Sequence, residues 1–135
     1  MKNTFFAILL LTFATNLFAG EKRWICNPLL QNGKREIIYM TVEKSIVPFS
    51  KTKMTIEIPS DGWSRTAKVI EEVSTKLGKL LIMDENKEDP GLFPYLIIGK
   101  SGKEATIGFS QGFDGSRESI AALLILANKP NCELE

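Results

Sequence analysis

The chain has 135 residues, with 17 basic and 16 acidic side chains, two cysteines and no histidine. A formal charge of +1, with lysines and arginines scattered rather than clustered, offers no footprint for nucleic acid and no basic patch for a membrane surface. The lack of histidine removes the usual base behind a nucleophilic serine. With both cysteines expected to pair, it also removes the usual ligands of zinc and copper.

The first segment, "MKNTFFAILLLTFATNLFAG", has the grammar of a secretory signal peptide. Lys2 forms the basic start, Phe5 to Phe13 is apolar except for Thr12, and Leu17-Phe18-Ala19 resembles a cleavage site. The apolar core is shorter than the ~20 residues that span a bilayer. The expectation is a cleaved leader over residues 1–19 and one small domain over 20–135. That domain would be secreted or periplasmic, with no membrane anchor left after cleavage. Loss of Lys2 takes one of the 17 basic residues and leaves charge balanced against the 16 acids.

Along the remaining chain, Lys22 to Asn27 reads as a strand carrying Trp24 and Cys26. Asn32-Gly33 signals a turn. Arg35 to Glu43 is rich in β-branched and aromatic residues and predicts a second strand. Residues 44–52 read as a loop. In Lys53 to Ile58 the apolar Met54, Ile56 and Ile58 alternate with polar residues, a third strand. Residues 65–77 are ambiguous: Ala67, Ile70, Val73 and Leu77 share a helical face, and the helix is slightly favoured over a strand.

Further strands are expected at "KLLIMDE", "LFPYLIIGK" and "EATIGFSQ", with a tight turn at Lys100 to Lys103. The run "SIAALLILA" suits a buried strand or a buried helix, so 117–128 stays open between the two. The fold class is mainly β, a small antiparallel meander forming a barrel or sandwich, or α+β if 65–77 is helical. Cys26 and Cys132 lie near the two ends of the domain and allow one intramolecular pairing. That bridge requires the ends within about 7 Å, Cα to Cα. Closing so long a loop is worth about 4–5 kcal/mol in the chain-entropy model.

Three short motifs imitate catalytic ones. Gly108-Phe109-Ser110-Gln111-Gly112 resembles the "GFSQG" stretch of carboxylesterases and acyl-protein thioesterases in the α/β-hydrolase family. The resemblance implies a serine nucleophile with a histidine downstream, and there is none. It also needs a helix starting at the serine, yet Phe113 to Ser116 intervene. Ser50-Lys51-Thr52-Lys53 spells S-x-x-K without the other motifs of a penicillin-binding site. Gly99-Lys100-Ser101 ends like a phosphate loop, but Pro94 stands where its first glycine belongs.

Asp84, Asn86, Glu88 and Asp89 have calcium-loop spacing but lack the glycine and the closing glutamate, so a solvated acidic loop is the better reading. Glu71-Glu72 gives no sign of converging with another acid. No catalytic residue, cofactor or metal ligand is assigned.

The remaining lead is a set of large apolar residues beside turns: Trp63, Leu92, Phe93, Tyr95 and Phe113. They form the candidate binding surface. The functional expectation is an exported, non-catalytic binding domain that takes a protein partner or a small apolar ligand in a barrel mouth. One version is an inhibitor presenting a loop such as 86–95. The alternatives are a carboxylate-based enzyme acting on glycans and a structural component of the cell envelope.

Overall fold

The computed structural model describes residues 20–30, 32–44 and 52–135. The expected leader over 1–19, most of the 44–52 loop and the Ser50-Lys51 pair lie outside the described residues. Eight strands follow in order: β1 (Lys22–Cys26), β2 (Ile38–Glu43), β3 (Lys53–Ile58), β4 (Trp63–Thr75), β5 (Gly78–Met83), β6 (Leu92–Gly99), β7 (Glu104–Gln111) and β8 (Cys132–Leu134). One helix, α1 (Arg117–Leu124), runs on into a 3-10 turn over Ile125–Asn128 and precedes β8. Each strand pairs antiparallel with the next, and β8 also pairs with β1, so the sheet closes into a barrel.

The barrel is filled. Trp24, Met40, Met54, Ile56, Leu81, Met83 and Leu96 point inward and are fully buried. Eight strands enclose a space that side chains can just fill, and here bulky ones fill it. The interior residues come from the strict alternation of β1, β2 and β3, seen in the sequence as Trp24/Cys26, Ile38/Met40/Val42 and Met54/Ile56.

The cysteines form the expected bridge. Cys26 and Cys132 are direct cross-strand neighbours with Cα atoms 3.9 Å apart. The chain end is held further by Glu135, whose N–H donates to the Arg23 carbonyl and whose carboxylate lies 3.1 Å from the Arg23 guanidinium.

The helix favoured for 65–77 is a strand. β4 pairs with β3 along its first half and with β5 along its second, and its register shifts between Val69 and Glu71. Before that bulge Ala67 and Val69 face the interior; after it Val73 faces outward, against a second apolar cluster. A bulge reverses which parity is buried. Apolar residues on both faces, joined across the bulge, therefore imitate helical spacing.

The helix is at 117–124 instead. Ser116 caps it by accepting the Ser119 N–H. Its Leu123, with Ile120 and Leu124, covers the outer face of β5 and β6 at Leu80, Ile82, Tyr95 and Ile97. These strands are therefore buried on both faces, which is why "LLIM" and "YLII" are unbroken apolar runs.

Candidate functional site

The feature with the most functional content lies where the barrel closes. β1 ends at Cys26, and the chain then makes an arm over residues 27–37 before β2 begins. The arm is a miniature hairpin: Leu29 bridges Arg35, Leu30 N–H donates to the Lys34 carbonyl, and the expected Asn32-Gly33 turn closes it with Gly33 N–H on the Leu30 carbonyl. At its base, Asn27 N–H donates to the Asn131 carbonyl at 2.8 Å, one residue beyond the disulfide. The bridge thus holds the root of the arm to the root of β8.

On the other side stands β7, and β8 is too short to cover it. β8 pairs with Glu104 and Ala105 only. One step further, the Asn131 side chain takes the place of a strand: its Oδ1 accepts the Ile107 N–H at 2.9 Å and its Nδ2 donates to the Ile107 carbonyl at 3.2 Å. Beyond that, no strand among the described residues runs beside β7. Backbone groups of alternate residues face opposite neighbours in an antiparallel ladder. Ala105 and Ile107 bond toward β8, so Phe109 and Gln111 present their N–H and C=O groups to the same side, away from β6. Pro94 opposite Phe109 fits this register, since that pair needs no N–H from it.

Between the arm and the uncovered end of β7 is an open groove of about 1020 Å³, at the upper end of the ~300–1,000 Å³ usual for ligand clefts. Leu29 and Phe109 are its prominent apolar walls, 63% and 41% exposed. Two charged side chains line it, Arg35 and Lys129, and both are cations. Arg35 spends one N–H on the Asn27 carbonyl at 2.9 Å; neither cation is in an ion pair among the described residues. Acids Glu104 and Glu133 line a smaller neighbouring depression, where Arg35 also reaches.

The five residues singled out from the sequence are not one surface. Tyr95 is 5% exposed and belongs to the cluster beneath α1; burial pushes its phenol pKa up. Phe93 and Phe113 pack edge to face, 5.9 Å between ring centres, against the same cluster. Leu92 lines the groove. Trp63 is 36% exposed at the start of β4, opposite Ile58. The sequence reading missed Leu29, Arg35, Phe109 and Lys129. The signal for the first was present: two consecutive leucines inside a turn segment, "NPLLQNGK".

The motif residues have structural places. Gly108 faces Tyr95 across the β6–β7 ladder, and a methyl group there would collide with the phenol ring. Ser110 is the next-to-last residue of β7, opposite Phe93, and α1 starts only at Arg117. Lys100 to Lys103 is the tip of the β6–β7 hairpin, with Gly102 at φ 76° donating its N–H to the Gly99 carbonyl.

The acidic loop turns its side chains onto its own backbone: Glu85 accepts the Gly91 N–H at 2.7 Å and Asn86 the Glu88 N–H at 3.2 Å. Among the described residues no three potential ligands converge on a point. Glu72 lies at the far end of the barrel beside Lys79 and Lys44; its hydrogen bond from Lys79 holds its pKa below the ordinary carboxylate value. Asp114 caps the turn before α1, accepting the Ser116 N–H at 2.9 Å and the Ser119 hydroxyl at 2.8 Å. Those bonds from Ser116 and Ser119 bring its pKa down to about 2.

Neither a family model nor a curated protein nor a solved structure matches the chain.

Proposed function

We propose that this is an exported, non-catalytic binding domain, and that it engages a protein partner at the groove between the 27–37 arm and β7. The observation that carries the reading is the contrast between inside and outside. The interior is packed with Trp24, Met40, Met54 and Leu81. The groove outside it is roomy, apolar-walled and held at its root by a disulfide. A small apolar ligand would have to displace a close-packed core, which is costly. A partner's surface needs no such rearrangement. The bridge is compatible with an oxidising compartment, as an exported protein would meet. Ser110 lies on a strand in a chain without histidine, which supports a role other than acyl transfer.

A second reading keeps the domain a binder but moves the surface. The 84–91 loop is tied down by Glu85 and Asn86, and Arg65 donates to the Glu85 carbonyl. A rigid exposed loop of this kind suits an inhibitor that inserts into an enzyme cleft.

The test is affinity capture from the native exported fraction with the oxidised protein. One stoichiometric partner is expected, lost with Leu29→Asp or Phe109→Asp and kept with Leu77→Asp at the opposite end of the barrel. Loss with Trp63→Ala or with loop 86–91 variants alone would favour the second reading. Turnover of a glycan or an ester by the pure protein, with no partner captured, would contradict both.

A further inference from the structure

We infer that the groove binds an extended acidic segment of the partner by strand addition to the edge of β7 that no strand among the described residues covers. The inference rests on the protein-binding reading above and specifies its chemistry. Two features of the groove carry it. The first is the hydrogen-bonding edge. Phe109 and Gln111 each offer one N–H and one C=O to the groove, two residues apart along a strand. That is the spacing at which an extended peptide presents its own donors and acceptors. Asn131 already completes the ladder at Ile107 with a side-chain amide, so the docking strand would begin where Asn131 stops. Main-chain bonds of this kind give affinity, and flanking side-chain contacts give selectivity.

The second feature is charge. Arg35 stands on the arm and Lys129 precedes β8; both line the groove and no acid does. Neither is in an ion pair among the described residues. An incoming strand with carboxylates on alternate residues would meet the guanidinium and the ammonium, while its apolar residues lie against Leu29 and Phe109. A second copy of this chain is a poorer occupant. Pairing β7 with its own copy would bring Arg35 and Lys129 of both copies to one small region, a repulsive arrangement.

The experiment is a titration of oxidised, ¹⁵N-labelled protein with a capped peptide alternating valine and glutamate. The controls are the same peptide with lysine for glutamate and a version methylated on alternate backbone nitrogens. The expected result is slowed exchange and shifted resonances at the Phe109 and Gln111 amides. Affinity should fall at least about tenfold for the lysine peptide, for the methylated peptide, and for Arg35→Glu combined with Lys129→Glu. Both substituted positions are exposed, and an otherwise unchanged spectrum of the double variant shows that it is folded.

Four results would overturn the inference: no binding of the acidic peptide, equal binding of the lysine peptide, binding that leaves those two amides unchanged, or protection of them that grows with protein concentration alone. Each leaves the capture experiment free to succeed. A captured partner indifferent to Arg35, Lys129 and Phe109 would refute strand addition and spare the protein-binding reading.

Discussion

The flank under α1 and the seam where β7 meets β8 belong to one barrel and are finished in opposite ways. On the flank, the outer faces of Leu80, Ile82, Tyr95 and Ile97 are covered by Leu123 and its neighbours, so the sheet is buried on both sides. At the seam, β8 contributes three residues, one side-chain amide extends it, and beyond that no strand among the described residues pairs with the edge of β7. Exposed strand edges invite pairing with other chains, and proteins usually cover or blunt them. Here a second layer shields the middle of the sheet, while the seam is secured covalently and left open. The flank serves stability, and the seam is where we propose that a partner is received.

Breaking the bridge should have the largest effect, and it should fall on the seam. Reduction, or Cys26→Ala with Cys132→Ala, is expected to cost about 2–5 kcal/mol in denaturant unfolding. Amides of the 27–30 segment and of β8 should gain exchange before those of β5 and β6. Uniform loss of protection would mean that the bridge stabilises the barrel without regard to region.

Gly108→Ala probes the flank. The added methyl meets the Tyr95 ring, which is buried in one cluster with Ile97 and Leu123. A loss of about 1–3 kcal/mol is expected from overpacking, with a change in the near-ultraviolet signal of Tyr95. Wild-type stability would show that the ring can move aside.

Asn131→Ala returns to the seam. It strips the Ile107 N–H and carbonyl of their partners and should cost about 1–3 kcal/mol. Asn131→Asp keeps the acceptor for the N–H and should cost less.

The smallest effect is acidic. Asp114 has its pKa lowered from 3.8 to about 2 by its bonds from Ser116 and Ser119. A lowered folded-state value means that its contribution is complete above 3.8 and is lost as pH falls toward about 2. The start of α1 should therefore loosen over that interval, seen as faster exchange at Ser119 and Ile120, and Asp114→Asn should remove this pH dependence.

The difference between flank and seam also separates what was legible in the sequence from what was not. The β-branched and aromatic content of β2, the alternation in β3, the Asn32-Gly33 and Gly102 turns, and the terminal pairing of Cys26 with Cys132 are local or compositional signals, and each appears in the fold. In β4 the sequence leaves helix and strand open, with helix slightly favoured, because the bulge at Val69–Glu71 joins inward and outward apolar residues into one stripe. Phe93, Tyr95 and Phe113 look like loop-tip aromatics until α1 is known to fold back over them.

The seam was the least readable part. The edge at Phe109 has no paired strand among the described residues because β8 is short and because residues 105 and 131 meet in one particular register. No periodicity within either segment encodes how the first and last strands align. Asn131, one polar residue between proline and cysteine, carries nothing in its local context to mark it as a strand substitute.

Native-state hydrogen exchange along β7 of the free, oxidised protein tests the open seam most directly. The Ile107 amide, held by Asn131, should be protected, and so should Gly108 and Ser110, which face β6; Phe109 and Gln111 should exchange far faster than these neighbours. Protection of Phe109 equal to that of Ile107 in dilute protein would mean that the edge is already closed, and the groove would have no strand to offer.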